Sequence, residues 1–159
     1  MAQTTGGASR SNFKLEVSTD GTTWTDISGA AAGVTPSGGE QMIGEQQTAD
    51  GSFPIVAGAK KFSMRQFEFN CVYTETAGEP WKVVSARYNS VTPTIYCRYS
   101  PMGGAIGTQR FLMADNAGNA FACPIINCLP PEGDASTGDI LMFTFSVNAP
   151  RSYETTIAS

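Results

Sequence analysis

Glu79-Pro80-Trp81-Lys82-Val83-Val84-Ser85-Ala86-Arg87-Tyr88-Asn89 is the stretch of this chain that carries a helical period. Trp81, Val84 and Tyr88 fall at i, i+3 and i+7, one face of a 3.6-residue repeat. Pro80 suits a first turn, where its missing N–H has no intrahelical partner to lose. Thr92-Pro93 ends the segment, because the residue before a proline is pushed out of the α region. A lone helix with an apolar stripe must bury that stripe on another layer. The sequence on either side reads as strand and turn, so the spacing predicts a mainly β domain with one flanking helix at about 79–89.

Working outward toward the N-terminus, Phe62 to Glu75 reads as the longest strand. Phe67, Phe69, Cys71 and Tyr73 share one face, and Gln66, Glu68 and Asn70 the other. Alternation this clean means core on one side and water on the other. Pro54 makes Phe53 to Val56 a short edge strand, since proline cannot donate to a ladder. Residues 28–52 hold six of the 17 glycines, with Gln41, Gln46 and Gln47 and few apolar residues beyond Val34, Met42 and Ile43. They read as a long loop, and loops of that length in compact domains carry binding. Phe13 to Val17 and Thr23 to Ile27, with Thr19-Asp20-Gly21-Thr22 between them, read as a hairpin. Residues 1–12 are rich in Gly, Ser and Thr and read as an N-terminal arm.

Toward the C-terminus, Thr94 to Tyr99, Arg110 to Ala114 and Phe121 to Cys128 read as strands. Turns at Pro101 to Gly104 and Asp115 to Asn119 separate them. Leu129 to Gly138 is a Pro/Gly/Asp loop. Asp139 to Asn148 alternates again, with Leu141, Phe143, Phe145 and Val147 inward and Thr144, Ser146 and Asn148 outward. Pro150 stops it, leaving a C-terminal arm at 149–159. The chain shows no internal repeat and reads as a single domain, 1–159.

Of the 159 residues, 41% are hydrophobic and only 15% charged. The charged share is well under the roughly 25% usual for soluble domains. Such depletion marks surface meant to meet protein rather than bulk water. A net charge of −4 argues against a protein that wraps nucleic acid, which needs Lys and Arg to displace counterions. It leaves room for a surface that DNA slides past without sticking. No apolar run approaches a membrane span of roughly 18 residues. The start, Met1 to Gly7, lacks the basic and apolar regions of a secretory signal.

The sequence contains no histidine, which removes the commonest general base and any Ser-His-Asp or Cys-His arrangement. The carboxylates fall mostly in turns and at strand ends. Glu68 is the mid-strand exception and has no evident partner for a two-carboxylate mechanism. Gly38-Gly39 and Gly103-Gly104 do not link a strand to a helix as phosphate loops do. Asp115 to Asn119 lacks the distal Glu of a calcium loop. Cys71, Cys97, Cys123 and Cys128 read as four reduced, buried thiols. A Cys123–Cys128 bridge remains the alternative, while zinc lacks any CxxC pair. No catalytic residue, metal or cofactor is expected, and the chain reads as non-enzymatic.

Three segments together resemble a known architecture. They are the hairpin with its Ser18-Thr19-Asp20-Gly21-Thr22-Thr23-Trp24 turn, the Gly/Gln-rich segment leading through a strand into the Glu79–Asn89 helix, and the closing Gly138-Asp139-Ile140-Leu141-Met142-Phe143-Thr144-Phe145-Ser146-Val147. In this order they resemble the tail tube (major tail) proteins of long-tailed, non-contractile bacteriophages, over nearly the whole chain. The resemblance implies a β-sandwich or small barrel with one helix. It implies six copies in a ring, sheets joined around a lumen, and rings stacked into a conduit for the genome. The implied place is the virion tail, assembled in the host cytoplasm with tape-measure, tail terminator and distal tail proteins, with DNA passing unbound and no membrane involved. On it, Gln66, Glu68, Asn70, Thr144, Ser146 and Asn148 are candidate lumen residues. Gly38, Gly39, Glu40, Gln41, Met42, Ile43, Gln46 and Gln47 are candidates for contact between subunits or rings. Two other classes compete: a secreted carbohydrate-binding β-sandwich using Trp24 or Trp81 as a platform, and a capsid decoration protein.

Overall fold

A computed structural model of the protein describes residues 3, 4, 7 and 9–158. In chain order its elements are β1 (Lys14–Ser18), β2 (Thr25–Asp26), β3 (Ala31–Gly38), β4 (Gln41–Gln46), β5 (Ile55–Phe62), β6 (Arg65–Val72), α1 (Pro80–Tyr88), β7 (Thr94–Ser100), β8 (Gln109–Ala114), β9 (Cys123–Cys128), β10 (Met142–Ala149) and β11 (Arg151–Thr156). The fold is mainly β with one helix, as the sequence predicts.

Every strand pairing is antiparallel. β7 carries β1 along one edge, with Val17 opposite Cys97, and β2 lies beyond β1. Along its other edge β9 takes the start, Ile95 opposite Cys123, and β8 takes the end, Tyr99 opposite Phe111. β11 lies outside β8. β9 then passes from β7 to β10, where Cys128 meets Phe145, and the order continues through β6 to β3. The sheet thus folds into two layers. β3 and β11 end its order without pairing with each other, so the result is an open sandwich rather than a closed barrel.

One core fills the space between the layers. Leu15, Val17, Ile95, Cys97 and Met113 come from one layer, and Phe67, Phe69, Cys71, Phe143, Phe145 and Val147 from the other. Phe69 and Phe145 lie 4.8 Å apart at their ring centres, and Phe67 reaches Tyr99 across the sandwich at 6.5 Å. Tyr73, at the end of the β6 face, is half-buried and packs on Trp81. The helix covers the open side at β9 and β7. Trp81 meets Phe143 edge-on at 5.2 Å, and Val84 is fully buried. Tyr88 departs from the expected stripe: it is 37% exposed. The buried line runs Pro80–Val84, with Arg87 continuing it by donating from Nε to the Thr94 carbonyl, and this sets Tyr88 on the helix flank.

Sequence and structure part company most between residues 28 and 62. The expected loop 28–52 contains β3 and β4, and of the expected short strand at Phe53 to Val56 only Ile55 and Val56 are strand, the start of the longer β5. The ladder β3–β6 ends at Gly38 opposite Arg65. It carries on through Gly39 N to Met64 O at 3.0 Å and Ser63 N to Glu40 O at 2.9 Å, then enters β4–β5 with Gln41 opposite Phe62. The segment is therefore one long hairpin whose outer half leaves the sandwich. Glycine is required at its bend. Gly38 has φ +75°, and a Cβ there would lie 2.1 Å from the Met64 carbonyl oxygen.

Other boundaries shift too. The expected strand Phe62 to Glu75 is interrupted: Phe62 ends β5, Ser63-Met64 separates the strands, and β6 covers only Arg65–Val72. The last expected strand begins at Met142, leaving Leu141 46% exposed instead of inward. The expected C-terminal arm is instead β11, tied to β8 from Arg151 opposite Ala114 to Thr156 opposite Gln109, and Ile157 after it is buried. Ser159 of that arm lies outside the described residues, as do residues 1, 2, 5, 6 and 8 of the N-terminal arm. All four cysteines are free and buried, so Cys123 and Cys128 are not bridged.

Candidate functional site

β3, β6 and β10 lie side by side, and pairing fixes which side chains share a face. On the inner side the rows are Ala31–Cys71–Phe143, Val34–Phe69–Phe145 and Pro36–Phe67–Val147; the β6 and β10 members are core, Ala31 and Val34 pack against it, and Pro36 is exposed at the edge. On the other side they are Gly33–Asn70–Thr144, Thr35–Glu68–Ser146 and Ser37–Gln66–Asn148. All six residues singled out in the sequence are thus brought onto one sheet face. β3 adds Thr35 and Ser37, which the sequence reading missed. The signal was present in Val34-Thr35-Pro36-Ser37, but Pro36 broke the pattern. Proline is tolerated there because β3 is an edge strand, with no ladder partner on its far side.

The face is polar and nearly neutral. Glu68 is the one ionisable side chain in the three rows and is exposed. Ser146 is only 1% exposed. It stands between Glu68 on β6 and Asn127 on β9, and these longer side chains flank its short one. Ser146 Oγ and Asn148 Oδ1 are buried with no hydrogen-bond partner among the described residues. Such a surface offers amides and hydroxyls, with Glu68 as the single acid or base of the three rows. Among the described residues, no group of three metal-ligating side chains comes together.

The second feature is the outer hairpin. Every residue of β4 and β5 is exposed, and the two strands pair only with each other. Gln41, Met42, Ile43 and Gln46 belong to β4, and Gln47 follows it. Gly38 ends β3, and Gly39 and Glu40 form the bend. The eight residues proposed for contact therefore lie along one strand and its hinge. The sequence reading placed no contact on the opposite strand, where Ile55, Val56 and Phe62 stand in solvent, with Phe53 just before it 84% exposed. A two-stranded ribbon alone is marginally stable in water, and an apolar one exposed at this scale marks an interaction surface.

Neither tryptophan forms a free platform. Trp81 is wedged between Phe143 and Tyr73. Trp24 lies under Arg98, whose guanidinium carbon is 4.3 Å from the ring centre. Arg98 also donates from Nε and Nη2 to the two oxygens of Glu16 at 2.7 and 2.9 Å, and Lys14 joins at 3.2 Å. Burial alone would raise the Glu16 pKa. The Arg98 bonds and charge, with Lys14 added, outweigh it and hold the carboxyl below its ordinary value.

No protein-family model matches the sequence, and no curated protein matches it. Solved structures do. A chain of the extracellular contractile injection system PVC, from its sheath–tube complex in the extended state, superposes with a TM-score of 0.65 at 10% identity, covering 96% of this chain and 94% of that one. A chain of the anti-feeding prophage (AFP) baseplate, 6-fold symmetrised, gives 0.58 at 9% identity over 98% and 99%. A chain from the tail of an empty GTA particle, refined with C6 symmetry, gives 0.55 at 7% identity over 96% and 100%. At these identities the likeness establishes a shared fold over the whole chain.

Proposed function

We propose that this protein is the structural subunit of a phage-like tail tube: copies form sixfold rings, and the rings stack into a conduit. The observation that carries the reading is the apolar β4–β5 ribbon, which leaves the sandwich and needs a second molecule to cover it. The full-length likeness to chains of tail and injection-system assemblies, two of them sixfold, supports another copy as that molecule. The free edge of β3 suits joining the sheet of a neighbour, which removes an exposed edge. The polar face of β3, β6 and β10 then lines the lumen, and DNA passes along it without specific binding. A tape-measure protein, a tail terminator and distal tail proteins complete the structure, which is assembled in the host cytoplasm and resides in the virion. The role is structural, with no catalysis.

Electron microscopy of the purified protein tests this. Stacked rings with a central channel are expected, and monodisperse particles of one chain at high concentration would end the proposal. The resemblance in the sequence narrows the reading to a long-tailed, non-contractile phage. A contractile sheath around the native tube would overturn that narrower assignment alone.

A further inference from the structure

β10 runs the length of the sandwich between two ends of opposite charge. Met142, opposite Val72, begins it, and Ala149, opposite Arg65, ends it. Eight residues of strand set the ends roughly 25 Å apart. At the Ala149 end lies a cleft of about 730 Å³, lined by Lys60, Lys61, Arg65 and Arg151 together with Phe62 and Asn116. Four of the chain's ten Lys and Arg residues meet there, and no Asp or Glu lines it. At the Met142 end Glu132, Asp134 and Asp139 surround a smaller cleft of about 250 Å³ with Ile140 and Leu141. Among the described residues, none of these seven charged groups forms an ion pair.

The backbone is shaped to build the basic end. In a regular strand Lys60 and Lys61 would point to opposite faces. The β4–β5 pairing slips between Gln41 and Ile43, and Lys60 sits in the slip at φ +53°. That bulge brings both lysines to one cleft. A non-glycine residue in the left-handed region costs energy, which marks the arrangement as constrained. Each end also exposes apolar side chains beside its charges: Phe62 and Met64 at the basic end, Leu129, Ile140 and Leu141 at the acidic end. An apolar patch rimmed by charge is what a protein surface uses to dock.

We propose that the basic cleft receives the acidic 132–139 loop of a second copy, a head-to-tail ionic contact that sets the direction of assembly. This rests on the self-assembly reading above and names the contact within it. Two different surfaces meet, so the contact is heterologous and propagates as a ring or a stack. Complementary charge also disfavours the reversed arrangement, because equal ends would then face each other.

Charge reversal tests it. A cleft variant carries Lys60→Glu, Lys61→Glu and Arg151→Glu, which leaves Arg65 as its one cation, and a loop variant carries Glu132→Lys, Asp134→Lys and Asp139→Lys. All six positions are exposed, so folding should change little, and circular dichroism melts check this. Assembly is followed by sedimentation and electron microscopy in low salt. Wild-type protein is expected to assemble and to weaken as salt rises. Each variant alone should need at least about ten-fold more protein to assemble. Mixed one to one, they should assemble again, because each acidic cleft now meets a basic loop and each basic cleft an acidic loop. Variants that assemble alone like wild type, or a mixture that stays dispersed, would overturn the contact while leaving the tube reading standing. Wild-type protein that never assembles would overturn both.

Discussion

At the scale of single residues, Arg98 holds the outer face of one layer together. It pairs with Glu16 across β1 and β7 and covers Trp24. Removing it leaves a carboxylate that is only 5% exposed with Lys14 as its remaining ion-pair partner. Arg98→Ala should therefore cost about 3 kcal/mol at pH 7, read from denaturant unfolding. The sign of the pH effect follows from the lowered pKa of Glu16. Its contribution is present above the ordinary carboxyl value of 4.5 and is lost as pH falls through the depressed folded value. The gap between wild type and Arg98→Ala should therefore narrow in acid, and a gap that widens there would refute the pairing. The cysteines give a second residue-scale prediction. Burial pushes Cys71 and Cys123 up to about 12 and Cys128 to about 11, with Cys97 also raised well above its usual value. The thiolate is the reactive form. No cysteine should react with a neutral thiol reagent until denaturant is added, when all four should; labelling of any one in the native protein counts against the core described here.

At the scale of elements, the readable parts of the sequence are those with one dry face and one wet face. β6 and β10 alternate because Phe67, Phe69 and Cys71, and Phe143, Phe145 and Val147, face a core. The helix shows its period because Trp81 and Val84 pack on the sheet. β4 and β5 have no buried face, so no period of two survives in Gln41–Gln46 or Ile55–Phe62. β11 is an edge strand of mixed polar residues and reads as an arm for the same reason. The candidate face was legible on β6 and β10 and hidden on β3 by Gly33 and Pro36. The ribbon makes a prediction that isolates it from the fold. Glu40 and Ser63 are already joined by a backbone bond of 2.9 Å, so Gln41–Phe62 can be replaced by a two-residue Asn-Gly turn. The shortened chain should remain a folded monomer, since none of the core residues lies in the deleted part, and should form neither rings nor tubes. Normal tubes from it would remove the ribbon from assembly; an unfolded product would mean that the ribbon supports the sandwich itself.

At the scale of the whole molecule, the proposed sixfold tube poses the question of which way the polar face points in it. The inner residues of β6 and β10 are committed to the core, so Thr35, Glu68, Ser146 and their neighbours look away from it. In a sixfold ring that direction is either the channel or the outside, and a lysine at position 68 separates the two. Glu68 is exposed and makes no ion pair among the described residues, so Glu68→Lys should fold and assemble. If the face lines the channel, each ring exchanges six carboxylates for six ammonium groups, and every stacked ring repeats them along the path of the genome. Phosphates would then be attracted where the wild-type wall presents amides, hydroxyls and a weak negative charge. Tails should reach normal length, but DNA should leave them several-fold more slowly, most visibly in low salt where screening is weakest. High salt should restore the wild-type rate, which identifies the delay as electrostatic rather than a damaged tube. If the face lies outside, the substituted lysine meets only solvent and ions, and ejection at low ionic strength keeps its wild-type rate; that result would move the channel wall to the other layer of the sandwich.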